Sequence, residues 1–449
     1  MIDKREFDII IWGASGFTGR LVAEYLYKNY NSKDLKWAIA GRDNQKLISI
    51  RKTFLNDEVP IVLADSFDET SLNKMTQRAN VICSTVGPYA KYGSLLVKSC
   101  IKNKTHYCDL AGEAQWIRKM IDLYHEEAIR NQVKIVNSCG YDSIPSDMGV
   151  YFINKNLSKK NLTIKMRVTG TKGGYSGGTY ASMQNIIKEA SSDRDVRKSL
   201  TNPYGLNPVG EQSGHDKRDL SSVVYDKKIK SWIAPFLMAG INTKIVRRSN
   251  ALSNYNYGKD FKYDEAVMTG KGIKGQLAGI MLSIPLILLA AKPGSILNKI
   301  FSFFVPNPGQ GPNKKERESG YFSSKFFVFD EHSNSSIFKV TGDRDPGYGS
   351  TSKMLAESAV CLAKDNLDNT FGIITPSYAM GNNISTKGTK YKKKSFVVML
   401  FEFPKKIIVK ITANGGAIYD HFHEMKIFCS KQTYINSRLG SFYYENEKF

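Results

Sequence analysis

Three glycines spaced three residues apart follow the first strand-like segment of the chain, Phe7–Trp12. A helical pattern begins directly after them, at Arg20. This combination can bind a pyrophosphate, because glycine lets the phosphate approach the backbone amides and the positive end of the helix dipole. The predicted contacts are Gly13, Ala14, Ser15, Gly16, Phe17, Thr18 and Gly19. The alternative is a tight turn that binds no ligand.

The end of the second predicted strand indicates which dinucleotide binds. An acidic residue at this point favours NAD, because it accepts a hydrogen bond from the ribose 2′-hydroxyl and repels a 2′-phosphate. In this chain Gly41 and Arg42 occupy the end of the strand, before the first acidic residue. A guanidinium pairs well with a phosphate dianion. The sequence therefore predicts NADP(H) as the cofactor, with Asp43 as the N-cap of the following helix.

Two later segments supply the remaining predicted cofactor contacts. Asp65 follows the third predicted strand and is placed near the adenine, with a surface-loop aspartate as the alternative. A second set follows the fourth strand, at the carboxyl edge where open α/β sheets bind ligands. This set is Thr85, Val86, Gly87 and Pro88. Tyr89 is placed over the cleft near the nicotinamide ribose, with a packing tyrosine as the alternative.

Alternating strands and helices must position these motifs. From residue 7 to residue 136, apolar runs of strand length alternate with helix-length segments, which is the pattern of βαβ units. The predicted class is α/β, with an N-terminal Rossmann domain built on a doubly wound parallel sheet over residues 1–150. The candidate strands are 7–12, 35–40, 59–63, 80–84, 106–109 and 133–136.

After residue 150 the pattern changes to that of a second, mixed α+β domain, predicted over residues 151–380. Alternating segments at 162–168 and 325–340 indicate half-exposed strands. A helix over 350–364 is expected to pack back on the first domain. Residues 381–449 are interpreted as a divergent basic tail, and no function is assigned to them.

Residues 275–291 are strongly apolar and carry no charge. The segment is shorter than the roughly 20 residues that span a bilayer, and Pro285 would kink a helix there. Three interpretations stay open: a buried core helix, an interfacial or hairpin-like membrane insertion, and a true span.

The net charge of +22 does not by itself indicate a nucleic-acid partner. The lysines are scattered and no zinc-finger spacing or RNP-type motif accompanies them, so no nucleic acid is expected. His421 and His423 form a lone HxH pair, and no metal site is predicted. The six cysteines form no CxxC pair and the first residues are charged, which favours an intracellular protein, cytoplasmic or peripheral on a membrane.

Several separated motifs occur in one order along the chain. Besides the turn at 13–19, they are Ala-Gly-Arg at 40–42, Val-Gly-Pro-Tyr at 86–89, Tyr-Cys-Asp-Leu-Ala-Gly-Glu at 107–113, Gly-Tyr-Asp-Ser-Ile-Pro-Ser-Asp at 140–147 and Asp-Pro-Gly-Tyr at 345–348. In these motifs the chain resembles the saccharopine dehydrogenase-like oxidoreductases, which include the trans-acting enoyl reductases of bacterial lipid assembly. The resemblance implies NAD(P)H-dependent reduction and, as in the bacterial relatives, a lipid-linked enoyl substrate. Animal relatives associate with lipid droplets, so a membrane or lipid-droplet surface is an expected partner.

An enoyl reduction needs a group that stabilises and protonates the developing enolate. The loop after the sixth predicted strand is dense in such groups, and Tyr141 and Asp142 are the catalytic candidates. Alternatively, both cap the following helix and link the domains. Asp109 and Glu113 either border the same cleft or form a strand end and a first helical turn.

The leading functional prediction is an NADP(H)-dependent oxidoreductase that reduces a lipid-type substrate, enoyl or acyl. A nucleotide-binding membrane or lipid-droplet protein with little catalysis is the first alternative, because the sequence fixes no catalytic pair. An amino-acid pathway reductase of the saccharopine type is the second. The expected partner is a small-molecule or lipid-linked substrate, and a homodimer is left open.

Overall fold

Two β-sheets organise the part of the chain that the structure describes. The computed structural model describes residues 5–56, 58–173, 177–289, 295 and 311–384, together with the short strands 398–402, 408–411 and 426–428. Residues 290 and 291 of the apolar segment lie outside the described residues, as does most of the tail, including the HxH pair at 421–423.

The first sheet is parallel and contains seven strands among the described residues. They are β1 (Phe7–Trp12), β2 (Trp37–Gly41), β3 (Ile61–Leu63), β4 (Ala79–Ser84), β5 (His106–Cys108), β6 (Lys134–Val136) and β13 (Gly372–Ile374). Their order across the sheet is β13-β6-β5-β4-β1-β2-β3. The central strands are buried and apolar, as expected when helices cover both faces of a sheet. The predicted α/β Rossmann fold is confirmed.

Helices follow the strands of this sheet and cover it. They are α1 (Phe17–Asn29), α2 (Asn44–Phe54), α3 (Glu69–Gln77), α4 (Tyr89–Tyr92), α5 (Ser94–Lys102), α6 (Ala114–Arg130) and α7 (Ile144–Leu157). The start of α2 is fixed locally, because the Asp43 side chain accepts a hydrogen bond from the N–H of Lys46 at 3.0 Å. The predicted N-cap role of Asp43 is confirmed.

The chain returns to the first sheet near the end of the described residues. Helix α13 (Thr351–Lys364) buries Leu355 and Ala359 in the core beside α1 and β4. Strand β13 pairs with β6, and α14 (Pro376–Ile384) packs on α7. The helix expected over 350–364 does pack on the first domain, and β13 adds a strand that the sequence did not predict. Residues 351–384 thus lie with the first sheet, across the predicted boundary between 1–150 and 151–380.

The second sheet is mixed, because β7 and β10 are parallel and the other neighbours are antiparallel. Its strands are β7 (Thr163–Lys172), β8 (Val224–Asp226), β9 (Ser231–Ala234), β10 (Lys262–Gly270), β11 (Tyr321–Phe329), β12 (Ser335–Gly342), β14 (Val398–Glu402), β15 (Ile408–Ile411) and β16 (Lys426–Phe428). Their order is β16-β15-β14-β12-β11-β7-β10-β9-β8. The last three strands extend this sheet into the region that the sequence analysis called a tail.

Five further helices are described between residues 177 and 318. They are α8 (Gly177–Ser192), α9 (Arg194–Thr201), α10 (Ala239–Leu252), α11 (Gly272–Leu289) and α12 (Lys314–Glu318), and a π-helical turn at Pro346–Ser350 precedes α13. Of these helices, α10 packs on β10, and α11 packs on β9 and β10. Strand β11 alternates strictly, so that Phe322, Phe326 and Val328 enter a core shared with α7 and α10. The prediction of a mixed α+β second domain is confirmed.

Helix α11 is apolar but exposed. By length and composition it is capable of crossing a membrane, yet only 17% of its apolar window is buried. The exposed fractions of Ile273 and Met281 are 76% and 71%. The residues of α11 that are buried include Gly275 and Gly279, which offer no side chain to a core. The interpretation of this segment as a buried core helix is therefore wrong, and the two membrane interpretations stay open.

Candidate active site

The turn after β1 requires glycine at its first position. Gly13 has a φ of +87°, and a Cβ placed on it would lie 2.5 Å from Cγ2 of Val86 and 2.9 Å from Oγ1 of Thr85. The N–H groups of Gly13 and Ala14 both donate to the carbonyl oxygen of Ala40, at 2.9 and 3.2 Å. The turn is therefore fixed between β2 and the loop after β4, and no space is left for a side chain.

The start of α1 offers backbone donors to an anion. Gly16 is the N-cap residue and is exposed, and among the described residues no side chain accepts a hydrogen bond from the first turn. The first N–H groups of a helix have no partner within it, and this first turn contains no acidic residue. A Cβ on Gly19 would overlap the carbonyl oxygen of Gly13, so this glycine lets α1 approach the turn. These features fit a bound pyrophosphate.

The remaining residues of the turn differ in what they can contribute. Ala14 is fully buried in the core, whereas Ser15 and Thr18 are half-buried beside the exposed Gly16. The ring of Phe17 packs edge-on against Tyr348, with 5.1 Å between ring centroids. Phe17 therefore has only its N–H group to offer to a phosphate, since its ring faces the chain that leads into α13.

Two guanidinium groups flank the Phe17 ring at the start of α1. Those of Arg20 and Arg317 lie 5.6 and 5.5 Å from the ring centroid. Both add positive charge beside the predicted phosphate site, although Arg20 also faces Glu24 at 3.7 Å. Sequence reasoning missed Arg317, because nothing in the local pattern around α12 indicates that it reaches a turn 300 residues earlier in the chain.

Arg42 is exposed directly after the end of β2. A Cβ on the preceding Gly41 would lie 3.7 Å from Oγ of Ser15, so the end of β2 lies beside the turn. Arg42 itself is exposed, and no described residue engages its guanidinium in a hydrogen bond or ion pair. This is the placement that a 2′-phosphate contact needs.

Asp65 is tied to its own loop. One carboxylate oxygen accepts a hydrogen bond from the N–H of Phe67 at 2.8 Å, and the N–H of Asp65 donates to Ser71 at 3.0 Å. The side chain is half-buried after β3. This arrangement fits the surface-loop alternative, and the adenine contact stays a prediction.

The loop after β4 is built around Thr85 and a cis peptide bond between Gly87 and Pro88. The Thr85 hydroxyl donates to the carbonyl oxygen of Trp12 at 3.1 Å or that of Gly13 at 3.2 Å, which anchors this loop to the glycine turn. Val86 packs on Gly13, and Gly87 is exposed. The structure thus brings residues 85–88 and 13–19 together at the carboxyl edge of the sheet.

The predicted position of the Tyr89 ring over the cleft is wrong. Tyr89 is 5% exposed and stacks on Trp116, with 5.5 Å between ring centroids. Its hydroxyl donates to the carbonyl oxygen of Ser84 at 3.3 Å and accepts from the N–H of Leu110 at 3.2 Å. Stacking on Trp116 and the two hydrogen bonds of the hydroxyl hold the ring in the core. This position matches the alternative prediction of a packing tyrosine.

Glu113 holds the helix that follows the Gly87–Pro88 bond. Its carboxylate accepts hydrogen bonds from the N–H groups of Tyr89 and Ala90, at 2.7 and 2.9 Å, at the first turn of α4. The hydroxyl of Ser182 on α8 donates to it at 3.3 Å. Burial raises the pKa of Glu113, and the two N–H donors oppose that rise. Glu113 therefore positions the loop at 85–88 and joins it to the second domain.

Replacing Glu113 by alanine is expected to lower the free energy of unfolding by about 2–4 kcal/mol, because two buried N–H groups lose their acceptor. Chemical denaturation with NADPH absent measures this. The control is Glu126→Ala on α6, the helix that Glu113 precedes; this side chain is exposed and the change should stay within about 0.5 kcal/mol. Equal destabilisation by the two variants would refute the role assigned to Glu113.

Asp109 organises the loops after β5 and β6. Its carboxylate accepts from the Tyr107 hydroxyl, the Asn137 amide and the N–H groups of Ala111 and Ser138, all between 2.8 and 3.0 Å. Burial raises its pKa to about 6 although these donors favour the charged form. With its hydrogen-bonding capacity used internally, Asp109 shapes the cleft rather than binding a ligand.

Asp142 lies at the same edge and has a perturbed pKa. Burial, and then the negative charge of Asp109, raise that pKa to about 7. One carboxylate oxygen would lie 3.7 Å from a Cβ on Gly112, so the group faces the loop after β5. Asp142 thus combines a position at the cleft with the ability to carry a proton near neutral pH.

Tyr141 packs between the domains. Its ring is 9% exposed and contacts Phe322 edge-on, with 4.9 Å between centroids. Its N–H donates to the hydroxyl of Thr351 at 3.0 Å, which links the loop to α13. This packing fits the domain-linking alternative, and a catalytic role for Tyr141 stays a prediction.

Known proteins share this arrangement of sequence and fold. Residues 9–136 match the family model described as the saccharopine dehydrogenase NADP binding domain. A Mycobacterium tuberculosis protein provisionally named trans-acting enoyl reductase is 36% identical over 404 residues, which cover 84% of this chain and 94% of that protein. The chain belongs to the saccharopine dehydrogenase-like oxidoreductases, in the trans-acting enoyl reductase group. The trans-acting enoyl reductase of Mycobacterium ulcerans is 33% identical over 415 residues, with the same coverage of 84% and 94%.

Membership of this family decides the cofactor and the class of reaction. The chain is an NADP-dependent oxidoreductase whose Rossmann domain binds NADP(H). Among solved structures, apo saccharopine dehydrogenase (L-Glu forming) from Saccharomyces cerevisiae matches with 12% identity and a TM-score of 0.46, covering 83% of this chain and 94% of that one. The residues fit the cofactor, since the glycine turn leaves a cradle that a Cβ would fill and the exposed Arg42 follows Gly41 beside it.

Proposed function

We propose that the protein uses NADPH to reduce the carbon–carbon double bond of a lipid-type enoyl substrate. The observation that carries this proposal is the carboxyl group of Asp142, which lies at the carboxyl edge of the Rossmann sheet with its pKa raised to about 7. The names of the mycobacterial relatives support the reaction type. The exposed apolar surface of α11 supports a lipid as the substrate class.

The chemistry requires one hydride and one proton. Bound NADPH supplies the hydride, which adds to the β-carbon of the enoyl group. The α-carbon then takes a proton, and the protonated Asp142 carboxyl is the proposed donor; solvent returns the proton to it. The loop after β5 lies beside this group, because a Cβ on Gly112 would lie 3.7 Å from one oxygen of the Asp142 carboxyl.

Arg42→Ala is expected to weaken NADPH binding about tenfold or more and to leave NADH binding nearly unchanged. A charge-assisted contact to the 2′-phosphate contributes roughly 1.5–3 kcal/mol, and NADH has no phosphate there. Titration of nicotinamide fluorescence measures both affinities. Lys52→Ala removes an exposed positive charge elsewhere on the same α2 region and serves as the control. An equal loss for both nucleotides would contradict the 2′-phosphate assignment.

NADPH oxidation across a panel of enoyl and acyl thioesters and enoyl lipids tests the reaction itself. We expect turnover with the unsaturated members and none with their saturated counterparts. Turnover with 2-oxo acids and amines instead would indicate an amino-acid reductase of the saccharopine type.

A second candidate is favoured by α11. A helix that exposes this much apolar surface suits a nucleotide-binding membrane protein with little catalysis. NADPH binding together with vesicle binding, but without turnover on any panel member, would support this candidate over the reductase.

A further inference from the structure

Helix α11 turns its large side chains away from the protein. The exposed fractions of Leu277, Met281 and Ile287 are 55%, 71% and 65%. On the opposite side, a Cβ on Gly275 would lie 2.5 Å from the carbonyl group of Gly270, and one on Gly279 would lie 2.9 Å from Val223. The small residues therefore seat the helix on β9 and β10, and the apolar residues form an unpartnered outer face.

Positive charge gathers at one end of this face. Lys271 and Lys274 are exposed at the start of α11. The turn between β8 and β9 adds three exposed lysines, at 227, 228 and 230. The hydroxyl of Ser231, directly after that turn, donates to the carbonyl oxygen of Gly270 at 3.0 Å, so both lysine groups lie together. We call the outer face of α11 and these five lysines the α11 patch.

An aromatic side chain borders the α11 patch. Tyr225 is 44% exposed on β8 and packs edge-on against Trp232, with 5.6 Å between ring centroids. Tyrosine and tryptophan favour the boundary between lipid and water because their rings are apolar and their tips are polar. An apolar face with a basic end and a half-exposed tyrosine has the chemistry of an interfacial lipid-binding element.

The contacts of α11 favour an interfacial position over a free membrane span. An 18-residue helix is about 27 Å long, and α11 contacts β9 and β10 along one side. In this arrangement one side of α11 is occupied by the sheet, and its outer face is available to the headgroup region of a bilayer.

The α11 patch is connected to the active site through α8. The side-chain amide of Gln184 on α8 donates to the carbonyl oxygen of Leu289, at the end of α11, at 3.3 Å. Two residues earlier, Ser182 donates to Glu113, and its hydroxyl lies 3.6 Å from a Cβ placed on Gly87. Less than one helical turn of α8 thus separates the contact with α11 from the contacts with Glu113 and with the loop at 85–88.

We propose that the α11 patch docks on the surface of a bilayer that contains anionic lipid, and that docking brings the cleft beside α8 to the membrane. The charge of the patch selects this occupant, because five lysines beside an apolar face are complementary to anionic headgroups. The part of the proposal that concerns substrate delivery rests on the proposed function. In that part, the substrate is a lipid that enters the cleft from the membrane.

Flotation of the full-length protein with vesicles tests the docking. The vesicles contain phosphatidylcholine alone or phosphatidylcholine with phosphatidylserine. We expect binding to the anionic vesicles, and a loss of about tenfold or more in the partition coefficient for the double variant Leu277→Ser, Met281→Ser. The matched control is Leu123→Ser, Val209→Ser, which changes side chains with similar exposed fractions of 56% and 81% on other surfaces. The control should bind as the wild type does.

A second pair of variants separates charge from apolar contact. Lys271→Gln, Lys274→Gln should lower partitioning into the anionic vesicles by about tenfold or more, since each lysine near the surface contributes about 1 kcal/mol. Equal partitioning of the wild type and the Leu277→Ser, Met281→Ser variant would overturn the proposal. So would a wild type that binds no vesicles but forms a dimer that this variant dissociates in light scattering, since the patch would then belong to a second copy of the chain.

NADPH titration of the same variants keeps the two proposals apart. Each variant should retain the wild-type affinity, because none of these side chains lies at the cofactor turn. If vesicle binding fails while NADPH binding and turnover persist, the docking is wrong and the proposed function stands. If vesicles are bound but no enoyl compound is turned over, the proposed function is wrong and the docking stands.

Discussion

Gly13→Ala should reduce NADPH affinity by about a hundredfold or more. The new methyl group would lie 2.5 Å from Val86 and 2.9 Å from Thr85, and the residue would have to keep a φ of +87°. The turn must therefore shift, and the amides at the start of α1 move with it. Loss of two charge-assisted hydrogen bonds of roughly 1.5–3 kcal/mol each accounts for a change of this size.

Gly210→Ala separates the effect of the clash from that of backbone strain. Gly210 also has a φ of +87°, but nothing lies within 4 Å of a Cβ placed there. Both variants incur about 1–2 kcal/mol for a left-handed alanine, and only Gly13→Ala adds a clash. Fluorescence titration gives the affinities and chemical denaturation gives the stabilities. Wild-type NADPH affinity in a folded Gly13→Ala protein would show that the turn does not hold the phosphates.

The cofactor half of the site was predictable because its signals are local. The glycine spacing, the first residue after β2 and the Asp43 cap each depend on a few consecutive residues, and each is found where the sequence placed it. Tyr89 shows the limit of such reasoning. Its ring is fixed by Trp116 and by the N–H of Leu110, which are more than 20 residues away in the sequence. No pattern near residue 89 encodes those contacts.

Two elements of the fold show what a single sequence leaves out. Strand β13 has three residues and becomes a strand because it pairs with Lys134–Val136, more than 230 residues earlier. The apolar residues of α11 are not confined to one face of the helix, so its sequence pattern does not distinguish a buried helix from an exposed one. Its exposure depends on Gly275 meeting Gly270 and on Gly279 meeting Val223, and hence on tertiary structure. The membrane interpretations could be separated from the core interpretation only after the fold was in hand.

The catalytic half of the site likewise depends on distant residues. Asp142 was a candidate because its loop follows β6, but its pKa is set by burial and by Asp109, which lies 33 residues earlier. Asp109 is held in turn by donors from the loops after β5 and β6. Sequence spacing brings both loops to one edge of the sheet, whereas the charge coupling between the two carboxyl groups requires their three-dimensional arrangement.

Asp142→Asn should lower kcat for the reduction of an enoyl substrate by about a hundredfold to ten-thousandfold, the usual contribution of a positioned acid. The affinity for NADPH should remain unchanged, because the side chain faces Gly112 and lies outside the turn at 13–19. Steady-state kinetics with saturating NADPH measures the loss. An unchanged kcat would exclude Asp142 as the proton donor.

The pH profile provides a readout that a purely structural role would not produce. The pKa of Asp142 is raised to about 7, so the proton-donating form is present below that pH and is lost as the pH rises through it. The wild-type kcat should therefore fall above about pH 7, and Asp142→Asn should remove this alkaline limb. Because the negative charge of Asp109 helps to raise this pKa, Asp109→Asn should move the limb to lower pH while retaining the acid. If the alkaline limb keeps its position in both Asp142→Asn and Asp109→Asn, another group is responsible for the titration. In this proposal Asp142 carries the proton and the charge of Asp109 raises its pKa, so each substitution must alter the limb.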